Sequence, residues 1–467
     1  MKKLLFLLLL ISYRQGIGQT YVLIPDPNFR TYLQSIIPTA MSGNSLDITS
    51  TLVTTSTQTI SVSSQSITNL SGVQYFSSLK SLNCSFNFSL INLPTLPNSL
   101  IFLNCNNNSL SSLPTLPIST QTLYCGGNHL TNLPALPNSL TILACGQNSL
   151  TSLPTLPNSL QGLYCGGNYS LSSLPPLSVS LQTLSCLLTL LSNLPPLPNS
   201  LTYLDCSYCY ITTLPSLPIS TQTLICSDNY LTNLPSLPNS LWTLSCGTNS
   251  LNNLPALPNS LHILECDANN LTNLPVLSIS LQTLVCGFNS LTNLPPLPNS
   301  LSYLDCKYNN ISSLPTLPNS LLQLHCENNK ISCFPIFPNS LQSINLSNNL
   351  NNCLPNYVLP AMNNYTSTPL CVAGNSNNCA VVGIKELNQK SSSIFVYPNP
   401  ASGQFTIETI ETEKQTLHLF DLNGKLLFEH NINGKTNIDV TNLNAGIYNL
   451  AIKIGDNIIN KKLVIAP

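Results

Sequence analysis

The sequence predicts a solenoid of parallel strands with short, non-helical return arms, closed at its amino end by a small helical cap and followed by a small β-sandwich. Three observations carry this expectation. Cysteines recur at 84, 105, 125, 145, 165, 186, 206, 226, 246, 266, 286, 306 and 326, a step of 20 residues with two steps of 21. Each step repeats the same punctuation, a run such as LWTLSC, then an Asn, then an LPxLP segment, and such self-similarity marks a repeat architecture. Beyond residue 381 the composition changes: residues 20–380 hold 4 Lys+Arg and 8 Asp+Glu, whereas residues 381–467 hold 8 of each.

Taken in order, the chain opens with Lys2 and Lys3 before an apolar run, Leu4 to Ile11, too short for the ~20 residues that span a bilayer. This is the pattern of a secretory signal peptide over residues 1–18, and the small Gly16 and Gly18 place the mature start at Gln19. Next, IPDPNFRTYLQSIIP carries Phe29, Tyr32, Leu33 and Ile36 at helical spacing after an Asp26-Pro27 start signal. A helix here is expected to cover the open end of the array as a cap over residues 19–61. Ile60, Val62 and Ile67 belong to the first irregular coils.

The repeating unit, over residues 62–356, is seen in Leu241 to Ser260, LWTLSCGTNSLNNLPALPNS. Alternation puts Leu244 and Cys246 on the inner face of a short strand and Trp242, Thr243 and Ser245 outward. Asn249 stands where its amide can bond the backbone of the turn and of the neighbouring coil, so stacked copies form a ladder. Leu251, Leu254 and Leu257 recur every three residues, and Pro255 and Pro258 fix φ at roughly −65°, so the return arm is extended. A single coil cannot bury these leucines and is stable only between neighbours. Thr189 and Cys209 interrupt the ladder in two coils.

The units LTYLDCSYCYITTLPSLPIS and LHILECDANNLTNLPVLSIS resemble the leucine-rich repeat in its short bacterial form, and the helix with SGVQYFSSLKSLNCSFN after it resembles the start of internalin-like arrays. The resemblance implies a leucine-rich repeat solenoid that binds through a concave strand face. Cys stands where the family usually has a third strand Leu or Val. These thirteen cysteines read as buried small hydrophobes. Vertical disulfides and metal are the competing readings, but in-register parallel strands aim their Cβ atoms poorly for a bridge, and a line of thiols does not converge on a tetrahedron. Cys353, Cys371 and Cys379 lie beyond the ladder in the expected cap and linker, residues 357–393 and the turn before them; Cys371 with Cys379 is the candidate capping disulfide.

After LNQKSSS, which reads as a linker, period-2 segments separated by turn signals, with Asn423-Gly424 at a hairpin, argue for a small Ig-like β-sandwich of about seven strands over residues 394–467. YPNPASGQFTI, LFDLNGKLLFE, NLNAGIYNLAIK and NKKLVI resemble the C-terminal sorting domain of the type IX (Por) secretion system. That resemblance implies export from a Gram-negative bacterium, then release or attachment at the outer-membrane surface, with the secretion machinery as a partner. A plain adhesive Ig-like module is the competing reading of the same strands.

Charged residues make up only 7% of the chain and the formal net charge is −1, which leaves no electrostatic footprint for nucleic acid or an anionic membrane. No later segment reads as a transmembrane span. None of the five His neighbours a nucleophile or acid in a recognisable motif, and the Gly pairs of YCGGN follow a strand without opening a helix. No enzyme, cofactor or metal site is expected. The outward strand positions are richer: Tyr124, Tyr164, Tyr203, Trp242 and Tyr303, the rings of His262 and His325, and the carboxylates Asp205, Glu265 and Asp305 interrupt a face that is otherwise Ser, Thr and Gln. Exposed aromatic and charged groups are what an interface uses as anchors. The expectation is therefore a secreted or surface-displayed binding protein, for an extracellular protein or glycan, in adhesion or host interaction. A passive, self-associating structural protein of the cell surface or matrix is the rival.

Overall fold

The computed structural model describes residues 20–358, 361–365, 367–372, 379, 394–409, 415–421, 425–454 and 457–466. The expected signal peptide, the linker Leu387 to Ser393 and the Asn423-Gly424 turn lie outside these residues. The chain divides into two units, one ending at Val382 and the other beginning at Gly383.

In the first unit fifteen three-residue strands, from Thr59–Ser61 to Ser343–Asn345, form one parallel sheet in strict chain order. Register is unvarying: Leu244 lies opposite Leu224 on one side and Leu264 on the other. Equal positions in successive coils therefore form columns. Leu244 and Cys246 are fully buried, while Thr243 and Ser245 are half-buried and Trp242 is exposed, as period-2 alternation requires. The LPxLP arms contain no helix, and Leu251 and Leu254 turn into the same continuous core. The Pro rings supply the reason, since they remove amide donors and clash with helical backbone.

Three sets of bonds tie each coil to the last. Strand amides reach neighbouring carbonyls, as Cys246 N to Glu265 O at 2.7 Å. In the Asn ladder, Asn269 Nδ2 donates to the carbonyls of Cys246, Cys266 and Asp267, and its Oδ1 accepts from Leu251 N at 2.9 Å. A third ladder was not read in the sequence: in the PNS turns the Ser hydroxyl donates back one coil, as Ser260 Oγ to Leu241 O at 2.7 Å. Where Pro gives way to Ser, as at Ser278, that hydroxyl reaches Asn259 O instead.

Every turn after the strand also holds one residue in the left-handed region, among them Asn107, Tyr208, Asp228, Ala268 and Phe288. Three neighbouring turns carry a glycine one position earlier. A Cβ on Gly146 would stand 2.6 Å from the Gly166 carbonyl oxygen, so the close approach of coils there requires glycine.

At the amino end a helix spans Pro27–Ile36, with Asp26 accepting from Phe29 N at 2.8 Å as its N-cap. Phe29 and Leu33 enter the solenoid core, and the Tyr32 hydroxyl accepts from Ser61 N at 3.0 Å. At the other end Tyr365 does the corresponding work, accepting from Leu346 N at 2.7 Å, while Asn356 bonds both backbone groups of Phe337.

Two disulfides hold this carboxyl end, Cys333–Cys379 and Cys353–Cys371. The expected Cys371–Cys379 bridge is thereby corrected. Leu354 and Leu370 form a parallel bridge, with Cys371 N donating to Leu354 O, and this lays Cys371 beside Cys353. Cys379 instead reaches back to Cys333 in an earlier return arm, a residue the ladder spacing had not singled out.

In the second unit seven strands run in the order Leu426–Ile432, Gln415–Phe420, Gly446–Ile454, Asn457–Ile465, Ile394–Ser402, Gln404–Thr409 and Lys435–Asp439. All neighbours are antiparallel except for one parallel bridge, Ala401 with Ile465. Strand Ile394–Ser402 pairs with Gln404–Thr409 through Tyr397, then shifts register across Pro398 and Pro400, which lack the amides a ladder needs. Phe405, Ile407, Leu417, Leu419, Leu450, Ile452 and Leu463 from both halves share one core.

Candidate functional site on the open strand face

The open face of the long sheet is built from the side chains that flank each buried Leu. Tyr203 and Tyr303 occupy the first strand position. Tyr124, Tyr164, Asp205, Glu265, Asp305 and His325 occupy the third. Trp242 and His262 immediately precede their strands. Because the register is constant, rings in adjacent coils come into contact.

Trp242 and His262 stack with centroids 3.4 Å apart and planes 7° from parallel, and His262 Nδ1 donates to Ser260 O at 2.7 Å, which fixes the imidazole's rotation. Tyr303 stacks on His325 at 5.8 Å, and Tyr124 meets Phe102 edge-on at 5.6 Å. Trp242 is 50% exposed and Tyr164 42%, so each offers a free aromatic face. Between the rings, Ser227 Oγ and Ser245 Oγ lie 2.9 Å apart, and Ser245 Oγ donates to Glu265 Oε2 at 2.8 Å. Ser245 was missed by the sequence reading; its register against Glu265 is the signal that could have found it.

The two aspartates behave differently from expectation. Asp205 and Asp305 are buried, not displayed. Asp205 Oδ1 accepts from Ser207 N and Ser207 Oγ, and Asp305 bonds Lys307 N and pairs with Lys307 Nζ at 2.9 Å. Both carboxylates thus serve the turn behind their own strand, the usual use of a short acidic side chain there. Lys307 Nζ also lies 5.8 Å over the Phe288 ring, which itself stacks on Tyr308 at 4.4 Å.

Electrostatics follow from this placement. Partial burial, then the neighbouring Asp205 or Asp305 carboxylate, pushes the Tyr203 and Tyr303 phenols up, so both remain hydrogen-bond donors at neutral pH. Burial, followed by the charges of Glu265 and Asp305, raises the Asp267 carboxyl. The face therefore offers stacking and hydrogen bonding.

Fourteen free cysteines are buried. Burial in the apolar core pushes the Cys84 and Cys145 thiols up to about 12 and the rest of the column higher than the ordinary value, so they stay protonated and unreactive. The Sγ atoms of Cys353, Cys371 and Cys379 lie within 4.8 Å of one another, but all three are tied in disulfides and present no thiolates to a metal.

Columns of Leu at constant register, an Asn ladder and extended return arms define a leucine-rich repeat solenoid, and the solved structures similar to it agree. YopM from Yersinia enterocolitica is 33% identical with a TM-score of 0.54, the match covering 62% of this chain and 73% of that one. YopM from Yersinia pestis, titled a leucine-rich effector protein, is 31% identical with a TM-score of 0.57, covering 68% of this chain and 98% of that one. The chain belongs to the leucine-rich repeat proteins. Residues 395–466 match the secretion system C-terminal sorting domain, so this is a secreted leucine-rich repeat protein with a type IX sorting tail. No curated protein matches the chain. Among the described residues no helix is long and apolar enough to cross a membrane.

Proposed function

We propose that the protein is a non-enzymatic recognition scaffold whose strand face, concave in solenoids of this kind, binds an extracellular protein or glycan, in adhesion or host interaction. The observation that carries this reading is the Trp242–His262 stack: the chain's single Trp is half-exposed on a rigid sheet and held by its neighbour instead of the core. An aromatic anchor fixed in advance loses little entropy on binding. In this reading residues 1–18 are a signal peptide, 19–61 a cap, 62–356 the binding array, 357–393 a second cap and linker, and 394–467 an Ig-like sorting sandwich. The protein is released or held at the outer-membrane surface of a Gram-negative cell. The test is a screen of the full chain against extracellular-matrix proteins and glycans, beside a folded Tyr203→Ala, Trp242→Ala, Tyr303→Ala variant. Binding that the variant loses supports the reading, and binding that the variant keeps removes the strand face from it.

A second reading, a passive self-associating structural protein, is favoured by a different observation. Ile118, Val179, Ile219 and Ile279 on the outer turns are 70–87% exposed, more aliphatic surface than a monomer needs. Concentration-dependent sedimentation abolished by Ile118→Asn and Ile219→Asn supports that reading.

A further inference from the structure

We propose that a cleft on the flank of the solenoid, away from the strand face, binds a neutral oligosaccharide. The cleft has a volume of about 440 Å³ and opens on the turn side of the coils, between Tyr169 and Thr248. Three irregularities of sequence create it. The coil after Cys165 is one residue longer than its neighbours, and the extra residue pushes Tyr169 outward to 68% exposure. In the next two coils Thr189 and Cys209 stand where every regular coil has its ladder Asn. Thr189 Oγ1 bonds Cys186 O at 2.9 Å and lies 3.2 Å from Cys209 Sγ, so the floor is made of shorter side chains.

The walls are aromatic. Tyr208, Tyr210 and Tyr230 are 54%, 50% and 56% exposed, and the rings of Tyr210 and Tyr230 lie 5.8 Å apart, tilted by 34°. The core uses none of these rings. Isolated exposed aromatics are ordinary, but four tyrosines converging on one concavity with two leucines form a patch of the kind that marks a binding site. The volume falls in the range of roughly 300–1,000 Å³ of small-ligand clefts.

The chemistry selects the ligand. Flat phenol rings pack against the C–H faces of a pyranose, and their hydroxyls, with Asp228 and Thr248, can pair sugar hydroxyls. Asp228 is the one charged residue lining the cleft, and no Lys or Arg joins it. A sulfated, sialylated or uronic-acid glycan, or a phosphate chain, would meet a carboxylate with no cation to offset it. The site thus fits an uncharged sugar. It stands apart from the strand-face reading and does not depend on it.

The experiment uses the full chain with four neutral tetrasaccharides, of glucose, mannose, galactose and N-acetylglucosamine, and with tetragalacturonate as the acidic control. Saturation-transfer NMR reports contact and calorimetry reports Kd. The expected result is binding of at least one neutral tetrasaccharide, weakened at least tenfold by Tyr210→Ala with Tyr230→Ala and only a few-fold by the two Tyr→Phe changes, which keep the rings. Tetragalacturonate binds at least tenfold more weakly, and Asp228→Asn narrows that gap. The Trp242→Ala, Tyr303→Ala chain keeps its sugar affinity, which separates this site from the strand face. The proposal is overturned if no neutral tetrasaccharide binds, if the Tyr→Ala pair binds as tightly as the native chain, or if the strand-face variant loses binding equally. Capture of a protein or peptide by the tyrosine pair without sugar binding overturns it as well.

Discussion

The ladder asparagines decide more than their size suggests. Asn269 bonds one buried amide of the preceding coil, two buried carbonyls and one part-buried carbonyl. Replacing it with Ala leaves the Leu251 amide without a partner in a dry interior and each carbonyl with one bond instead of two, so Asn269→Ala should lower stability by about 2–3 kcal/mol in urea melts. The reverse change, Thr189→Asn, should raise it by about 1 kcal/mol, because it restores a rung. This much was legible from the spacing of Asn after each Cys. The roles of Asp205 and Asp305 were not. Outward alternation placed them on the face, and only the turn geometry that draws Ser207 and Lys307 onto their carboxylates shows why they are buried. The tyrosine cleft was hidden for a similar reason: Thr189 and Cys209 were visible as breaks in a ladder, but Tyr169, Tyr210 and Tyr230 converge only once coils are stacked in register.

Helix, strand and arm were largely readable because each has its own period: 3.6 over Phe29 and Leu33, 2 through Leu244 and Cys246, 3 along the Pro-fixed arms. What escaped was contact between elements distant in sequence, such as Cys333 with Cys379, or the hydroxyls of Tyr32 and Tyr365 on the terminal coils. These end contacts make predictions. Burial alone would raise the Asp26 carboxyl, but hydrogen bonds from Thr68 and Phe29 outweigh it and hold the group below its usual value. A depressed folded value contributes stability above the unfolded value near 3.8, lost as pH falls through the folded one. Asp26→Asn should therefore cost about 1–2 kcal/mol at neutral pH, and the gap from native should narrow in thermal melts as pH falls below 3.8. At the opposite end, each disulfide restrains the unfolded chain by about 3–4 kcal/mol for loops of this length. Reduction should release amide protection first at Gln323–His325 and Ser343–Asn345, with Thr183–Ser185 unchanged by hydrogen exchange.

Over the whole array the cysteine column sets an upper pH limit. Burial raises the folded thiols above their ordinary 9.0, so the native chain keeps protons that the unfolded chain gives up. Stability is thus unaffected below the unfolded value and falls above it, at about 1.4 kcal/mol per thiol for each pH unit. Summed over the column, this exceeds the ~5–15 kcal/mol that usually holds a fold within about one unit. The strands should therefore melt between about pH 9 and 11, with thiolate absorbance rising in the same step. Thiolates that appear without loss of strand circular dichroism would show the column open to solvent.

The uniform register has a further consequence for how such a gene can change length. Every regular coil receives the same bonds from its successor and gives the same bonds to its predecessor, so the coils are interchangeable parts. Excision of Leu251 to Asn270, one full period, brings Asn289 to the place Asn269 held beneath Leu251's own replacement, Leu271, and every backbone group again finds a partner. Unequal recombination in steps of one coil yields shorter or longer rods that still fold, whereas other slips must be absorbed within a turn, as the single extra residues after Cys84 and Cys165 are with register kept. The coils around Thr189 and Cys209 are the exception, since losing either one deletes a wall of the cleft.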